Sequence, residues 1–369
     1  MNGATRAIER AWHEGGALAT LLRPLGALNG ALVAARAALY RSGRCSVVPS
    51  PLPVVVVGNL TVGGTGKSPL TGYLVEAFRR RGWRPGIVSR GHGGERQRHP
   101  RHVRDDDRAS VVGDEPLMLC RATGAPVCVC VRRAAAVAAL ARDTDCDLVL
   151  SDDGLQHLAM ARDAEIVVVD GETRFGNARL LPAGPMREPP ERLLGADLIA
   201  VRSVRAESPV SFAESLADTG SFDGAALPPI FGFATVGARV RRWPDGRWLE
   251  LETLRGHRVH ALAGIGRPER FFETLRAAGL EVDGRPLPDH HVPEIDDLRF
   301  ADELPVLFTA KDAVKLDAGV LGAAFAGGSL RASLYEVDVR VATDASADAR
   351  IDALSARLRE RAAERVERA

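Results

Sequence analysis

Apolar segments rich in Val and Ile alternate with helix-length segments from residue 53 onward. These segments are apolar on both faces, which is typical of parallel strands that are covered by helices on both sides. The sequence therefore predicts a doubly wound, P-loop NTPase-like α/β domain whose strands are PVVVVG, PGIVSRG, PVCVCV, DLVLSDDG, EIVVVDG and DLIAVR.

The pattern changes after residue 205. Residues 206–230 are polar and broken by Pro and Gly, which indicates the end of the first domain. Two alternating segments around Pro244, Asp245 and Gly246 then predict a β-hairpin. A second, smaller α/β unit begins near HALAGIG, and the charged C-terminal helix is expected to pack back on one of the domains, with the core domain as the candidate. The predicted divisions are 1–45, an N-terminal helical segment, 46–228, the core domain, and 229–369, the hairpin linker and smaller domain.

Leucines and alanines at helical spacing in residues 15–44 predict a pair of amphipathic helices. Arg23 and Pro24 interrupt the apolar run, so no window is long enough to span a bilayer, and the features of an export signal are lacking. Residues 1–44 contain six arginines and only two glutamates, so the segment is basic. Two interpretations are open: the helices lie in the headgroup layer of an anionic membrane, or they form a hairpin packed on the domain.

Composition narrows the function classes. The chain of 369 residues is long enough for two well-buried domains. A formal net charge of +1, with both signs interleaved, disfavours nucleic acid as a partner. Five cysteines without paired CxxC spacing disfavour a zinc site and indicate a reduced, cytoplasmic setting.

A glycine-rich loop follows the first predicted strand, in VVVVGNLTVGGTGKSPL, residues 54–70. A strand, small residues, a lysine, a hydroxyl and a helix in this order are the context of a phosphate-binding loop, although Thr61 stands where the usual pattern has glycine. We expect Lys67 to bridge the β- and γ-phosphates of a triphosphate and Ser68 to ligate Mg²⁺. The expected nucleotide-binding residues of the loop are Gly63, Gly64, Thr65, Gly66, Lys67 and Ser68.

The strand DLVLSDD ends in Asp152 and Asp153. Its apolar residues bring both carboxylates to the edge of the sheet where ligands of open α/β sheets bind. One of them is expected to hold Mg²⁺, directly or through water.

Two further segments carry charged residues. Asp114 and Glu115 precede Pro116 and an apolar helical run, so an N-terminal helix cap is one interpretation. His290 and His291 lie on a predicted loop, where solvated histidines are common. The alternative is that a histidine of the second domain orients a carboxylate base of the first across a closing cleft.

Eight segments, in family order, resemble the tetraacyldisaccharide 4′-kinases of lipid A biosynthesis: VGNLTVGGTGKSP, GIVSRGHGG, VGDEPLML, SDDGLQH, RLLPAGPMREP, AGIGRPERFF, PDHH and TAKDAVKL. The resemblance implies transfer of the γ-phosphate of ATP, with Mg²⁺, to the 4′-hydroxyl of a tetraacylated disaccharide 1-phosphate, the lipid A precursor. It also implies a peripheral location at the cytoplasmic face of the bacterial inner membrane. This location favours the membrane interpretation of the N-terminal helices, because the acyl chains stay in the bilayer.

The resemblance also implies roles for single residues. Asp114 is implied to be the base toward the sugar hydroxyl, with His290 rather than His291 as its partner. Asp152 and Asp153 are implied to serve Mg²⁺ and the phosphates. The remaining implied contacts are Glu188 to the metal or nucleotide, Arg187 to the nucleotide, and Arg90 and His92 to the substrate.

The sequence departs from the family pattern at three positions. His92 replaces a tyrosine, which puts an aromatic or phenolic contact to the sugar in doubt. Ala310 replaces a glutamate, and Ser68 replaces a threonine but keeps the hydroxyl.

Two other function classes are compatible with parts of the sequence. One is a nucleotide-dependent switch or metallochaperone, in which hydrolysis drives a conformational change and no small molecule is phosphorylated. A switch would not need Asp114 and His290. The other is a dinucleotide oxidoreductase, suggested by Gly264 and Gly266, but the third glycine of the fingerprint is absent.

Overall fold

The computed structural model describes residues 8, 10–12, 15–203, 222 and 225–368. Its strands are β1 (Val54–Asn59), β2 (Pro85–Ser89), β3 (Arg101–His102), β4 (Val127–Val129), β5 (Leu148–Asp152), β6 (Ala164–Asp170), β7 (Leu198–Arg202), β8 (Ile230–Trp243), β9 (Trp248–Glu250), β10 (Arg258–Ala263), β11 (Glu281–Pro286), β12 (Val306–Thr309) and β13 (Leu334–Thr343). Its helices are α1 (Ala17–Leu21), α2 (Arg23–Arg41), α3 (Lys67–Arg80), α4 (Ala109–Val112), α5 (Asp114–Thr123), α6 (Arg133–Asp143), α7 (Pro268–Ala277), α8 (Ala310–Ala313), α9 (Ala318–Ala326) and α10 (Ala347–Arg368), with 3₁₀ turns at Pro190–Gly195 and Leu251–Leu254. The predicted boundary segment, 206–230, lies largely outside the described residues.

The strands form one sheet in the order β11-β10-β12-β13-β8-β7-β6-β1-β5-β2-β4-β3, with β9 on β8. The six strands predicted from the sequence, β1, β2, β4, β5, β6 and β7, pair in parallel. The prediction of a doubly wound parallel sheet is confirmed. The carboxyl ends of these strands meet at one edge of the sheet, where the loop after β1 and the two aspartates at the end of β5, Asp152 and Asp153, come together.

Strand β1 is buried on both faces, as its unbroken valine run predicts. Val55 and Val57 pack in a cluster with Phe78 of α3, whereas Val54 and Val56 pack in a second cluster with residues of α6. Burial of each valine side chain stabilises the strand by about 2 kcal/mol. The start of the loop that follows is therefore fixed by the core.

The sheet continues without a break into the second half of the chain. Strand β8 pairs with β7 over 230–233 and then, in antiparallel direction, with β13 over 233–243. The predicted hairpin is confirmed, because β9 returns antiparallel to β8 after the turn. Strands β10 to β13 pair in parallel and pack with α7, which gives the smaller α/β unit.

The C-terminal helix α10 packs on the first half of the chain. Ile351, Leu354 and Leu358 lie in the same buried cluster as Phe78. Trp83 also donates a hydrogen bond from Nε1 to a serine hydroxyl of α10, at 2.8 Å.

The N-terminal helix α2 packs on one face and is exposed on the other. A Cβ atom on Gly26 would lie 3.0 Å from the Cβ of Ala183, and one on Gly30 would lie 2.8 Å from a methyl group of Leu180. Glycine at these two positions allows the helix to approach the 180–183 loop closely. The exposed leucines of α1 and α2 are Leu18, Leu21, Leu25, Leu28, Leu32 and Leu39.

Candidate active site

The loop between β1 and α3 has the geometry of a phosphate-binding loop. Gly63 and Gly66 adopt φ values of 103° and 89°, a region that residues with a Cβ rarely enter. Gly66 is the N-cap of α3, so the positive end of the helix lies at the loop. The helix begins at Lys67, slightly earlier than the pattern indicates. Thr61, the departure from the usual motif, is buried and forms an isolated bridge with Met186.

Lys67 is held between a neutral and a charged partner. Its Nζ atom donates to Asn59 Oδ1 at 3.0 Å and lies 3.4 Å from Asp153 Oδ1. Asn59 also donates from Nδ2 to Thr65 Oγ1, at 3.1 Å. The last residue of β1 therefore orients both the lysine and the loop that contains it.

Asp152, the last residue of β5, and Asp153, which follows it, lie in opposite electrostatic environments. Burial and the charges of Glu115 and Asp153 raise the pKa of Asp152 to about 7. Burial also acts to raise the pKa of Asp153, but Lys67 and Arg187 outweigh it and lower this pKa to about 2. Asp153 is thus a stable anion in an ion-pair network, whereas the charge of Asp152 is poorly compensated.

Asp152 is the carboxylate best suited to a cation. Its Oδ1 atom accepts a hydrogen bond from Thr71 at 3.1 Å, but the buried Oδ2 atom has no hydrogen-bond partner among the described residues. A buried polar atom of this kind is costly unless a ligand satisfies it. Ser68 supplies a hydroxyl in the same region, at the start of α3. The described residues contain no group of three or more His, Cys, Asp or Glu able to hold a metal, so a Mg²⁺ site here would need phosphate and water ligands as well.

Arg187 and Glu188 contact different side chains. Arg187 Nη1 lies 3.1 Å from Asp153 Oδ2 and lines the cavity described below. Glu188 accepts from Gln156 at 2.8 Å and lies 3.4 Å from Arg192. Both carboxylate oxygens of Glu188 are engaged by protein groups, and its metal role stays a prediction.

Asp114 and His290 meet although the sequence separates them widely. His290 Nδ1 lies 2.9 Å from Asp114 Oδ2. Gly113 is the N-cap of α5, and Asp114, the first residue of the helix, accepts a hydrogen bond at Oδ1 from the backbone N–H of Glu115, at 2.9 Å. The aspartate therefore serves the start of the helix through Oδ1 and the histidine through Oδ2. His291 forms its hydrogen bond with Asp297 instead, at 2.8 Å.

The imidazole, and not the carboxylate, forms the cavity wall at this pair. Asp114 is 4% exposed, whereas His290 lines the cavity and adopts a φ of 61° on its loop. Gly93 borders both groups: a Cβ on it would lie 3.4 Å from the histidine Nδ1 and 3.6 Å from the aspartate Oδ1. The predicted substrate residues Arg90 and His92 also line the cavity, and the His92 ring packs edge-on against His290 with 5.1 Å between centroids.

One cavity of about 870 Å³ is lined by Lys67, Asp153, Arg187 and His290 together. The phosphate loop forms one part of its wall, and His290 forms another. Arg36 of α2 and Arg133 of α6 also line it. Burial, together with the charges of neighbouring arginines, lowers the pKa of His157, another lining residue, to about 4.

Sequence reasoning did not assign roles to Gln156, Arg133 and Lys311, which all line the cavity. Gln156 and Lys311 lie inside segments that carry the family resemblance, SDDGLQH and TAKDAVKL, so a signal existed for both. Arg133 carries no such signal, because only the fold brings the start of α6 to the cavity.

Comparison with known proteins decides the family. The family model described as tetraacyldisaccharide-1-P 4′-kinase matches residues 18–356. The chain belongs to this kinase family. The matched region includes the phosphate loop, Asp152 and Asp153, Asp114 and His290, so the predicted family and kinase activity are confirmed.

Curated relatives of this kinase carry the same name. The tetraacyldisaccharide 4′-kinase of Azoarcus sp. strain BH72 is 48% identical over 306 residues, which are 82% of this chain and 85% of the relative. The enzyme of Nitrosococcus oceani is 42% identical over 315 residues, 85% of this chain and 87% of the relative. The crystal structure of LpxK from Aquifex aeolicus in complex with ATP matches with a TM-score of 0.71 and 23% identity, covering 94% of this chain and 99% of that one, which confirms the fold.

Proposed function

We propose that this kinase transfers the γ-phosphate of ATP to the 4′-hydroxyl of tetraacyldisaccharide 1-phosphate, with Mg²⁺, at the cytoplasmic face of the bacterial inner membrane. The observation that carries the proposal is that one cavity is lined both by a phosphate-binding loop and by His290, which is hydrogen-bonded to the buried Asp114. A nucleotide switch needs the loop alone. A kinase also needs a group that accepts the proton of the attacking hydroxyl.

The proposed transfer step assigns the proton to the pair as a unit. The sugar oxygen attacks the γ-phosphorus, its O–H proton moves to the Asp114–His290 pair, and the bond from phosphorus to the β–γ bridging oxygen breaks. The hydrogen bond of 2.9 Å couples the two groups, and His290 is the member at the cavity wall. Lys67 supplies a fixed positive charge for the phosphates.

The residues present fit a Mg²⁺ ion. Asp152 would hold it through the unpartnered Oδ2 atom, and Ser68 through its hydroxyl. When bound, the ion would neutralise charge on the β- and γ-phosphates.

Three arginines of the cavity wall support a substrate that already carries a phosphate. Arg36, Arg90 and Arg133 line the same cavity as the phosphate loop. We place the 1-phosphate of the disaccharide among them, because guanidinium groups pair well with phosphate oxygens.

The exposed face of α1 and α2 supports a location on the membrane. Leu21, Leu25, Leu28 and Leu32 follow at helical spacing and are 76%, 53%, 58% and 62% exposed. Helix α2 contains three arginines and no acidic residue. No helix among the described residues has the length and apolarity to cross a bilayer, and an amphipathic basic helix binds at the surface of anionic membranes. Arg36, on the same helix, links this surface to the cavity.

A transfer assay tests the proposal. The purified protein is incubated with γ-labelled ATP, Mg²⁺ and tetraacyldisaccharide 1-phosphate, and the lipid product is analysed for label and for the position of the new phosphate. We expect label on the 4′-oxygen. ATP hydrolysis without labelled lipid would contradict the proposal and favour the switch.

A further inference from the structure

Lys311 stands beside the Asp114–His290 pair, on the side of the second half of the chain. It lies in α8, directly after β12, where Thr309 caps the helix by accepting a hydrogen bond from the N–H of Asp312. Its side chain is 13% exposed and lines the cavity. The fold therefore fixes its position.

Three carboxylates surround the amine of Lys311. Its Nζ atom lies 3.3 Å from Glu115 Oε1, 3.6 Å from Asp289 Oδ1 and 3.8 Å from Asp114 Oδ2. Two of these residues belong to α5, whereas Asp289 directly precedes His290 on its loop. One cation thus bridges the helix that carries the aspartate and the loop that carries the histidine.

The amine is a cation that the cluster requires. Burial acts to lower the pKa of Lys311, but the charges of Glu115, Asp114 and Asp289 outweigh burial and raise it. Without the amine, three carboxylates would converge beside His290, and like charges at this range favour uptake of protons.

Position 311 is one of the few positions of the chain that carry lysine rather than arginine. Lysine occurs at positions 67, 311 and 315 only, and arginine supplies the other Lys/Arg positions of the chain. An ammonium group is a compact charge with three donors, whereas a guanidinium group is a planar fork whose donors all lie in one plane. Three carboxylates around one point match the ammonium group.

We propose that Lys311 is a positioning residue for phosphoryl transfer: its charge offsets the three carboxylates around it and holds Asp114 against His290, so that the pair is placed to accept the hydroxyl proton. The inference rests on the kinase function proposed above. Lys311 acts through the pair and does not contact the transferred phosphate. The other titratable groups that face the pair or its carboxylate neighbours are Glu115 of α5, Asp289 of the histidine loop, His92 of the loop after β2, and Asp152 of β5.

Three variants test this role: Lys311→Met removes the charge and keeps the stem, Lys311→Arg keeps the charge and changes its shape, and Arg331→Met is the control. The side chain of Arg331 is 76% exposed, and its replacement by Met removes an equal charge from the same half of the chain. We expect Lys311→Met to lower kcat at least about tenfold and to leave the KM for ATP within about twofold of the wild-type value. The acid limb of the plot of kcat against pH should move up by about one pH unit. Lys311→Arg should leave the limb in place and recover kcat in part, and the control should match the wild type.

An acid limb of the kcat profile that Lys311→Met does not move would overturn the inference. This holds if kcat is retained, and equally if kcat is lost together with thermal stability or through weaker ATP binding. An NMR titration of the His290 ring in the substrate-free protein gives a second readout. Its midpoint should rise in Lys311→Met, and an unchanged midpoint would sink the inference. Because this titration needs no turnover, it separates a failure of the Lys311 role from a failure of the kinase function.

Discussion

The ring of His290 is hydrogen-bonded through Nδ1 to the Oδ2 atom of Asp114, at 2.9 Å, although the two residues are 176 positions apart. The aspartate begins a helix of the first half of the chain, and the histidine lies on a loop of the second half. The second half therefore completes a hydrogen-bonded pair whose other member belongs to the phosphate-loop domain. Any motion between the halves would make or break this pair.

Lys67→Ala should impair the use of ATP itself. The variant removes the charge that faces the phosphates and leaves Asp153 with Arg187 as its cation. We expect kcat/KM for ATP to fall at least about a hundredfold. Kinetics at varied ATP concentration would measure this, with Arg80→Ala, at the exposed end of the same helix, as the control. An unchanged kcat/KM would remove Lys67 from the nucleotide site.

Asp152→Asn should raise the Mg²⁺ concentration needed for half-maximal activity at least about tenfold, because an amide is a weaker ligand than a carboxylate. The metal-free protein should not lose stability, since burial already raises the pKa of Asp152 and its charge is unfavourable in the fold. Asp153→Asn is the contrast: its lowered pKa means that its charge stabilises the fold, so this variant should melt earlier. Unaltered Mg²⁺ dependence in Asp152→Asn would rule out the metal role.

Replacing Leu25, Leu28 and Leu32 together by Glu should release the protein from anionic vesicles. These side chains are half-exposed or more, so the change should leave the melting temperature within a few degrees. Sedimentation with phosphatidylglycerol vesicles measures the effect, and Val320→Glu, on the exposed side of α9, is the control. Vesicle binding that survives the triple change would return the segment to the packed-hairpin interpretation.

Asp170→Asn should weaken the contact between the two halves. Burial acts to raise the pKa of Asp170, but Arg270 and Arg267, from the second half, outweigh it together with a backbone N–H and lower this pKa to about 2. The charge therefore stabilises the fold by about 2 kcal/mol above pH 4, and this contribution is lost as the pH falls toward 2. Denaturant unfolding at several pH values should show that the free energy of unfolding of Asp170→Asn is lower than that of the wild type at pH 7. It should also fall less steeply than the wild-type value as the pH is lowered. Asp145→Asn, whose carboxylate is 79% exposed, should do neither.

Local sequence patterns predicted the parts of the site that are local. The phosphate loop follows from the order of strand, glycines, lysine and helix, and the two aspartates follow from the end of an apolar strand. The family resemblance added the pairing of Asp114 with His290, which no local pattern contains. The cap interpretation of Asp114 describes only half of its role, because Oδ1 accepts from a backbone N–H at the helix start whereas Oδ2 makes the tertiary contact with His290.

The remaining features depend on tertiary placement. The continuity of the sheet rests on β8, whose two ends pair with different strands, and pairing partners cannot be deduced from the apolar pattern of one strand. The surroundings of Lys311 come from α5, α8 and the histidine loop, which are far apart in sequence. Glu188 likewise has partners, Gln156 and Arg192, that its motif does not reveal.

The central claim is that Asp114 and His290 act as one proton acceptor, and a double-mutant cycle in kcat tests it most directly. Asp114→Ala, His290→Ala and the double variant are compared with the wild type at saturating ATP and lipid, with ATP binding measured separately. Each single change should lower kcat by about 10²–10⁴-fold and leave ATP affinity nearly intact, and the double variant should be no more than a few-fold worse than either single one. Wild-type turnover in either single variant, or losses that multiply in the double variant, would contradict the account.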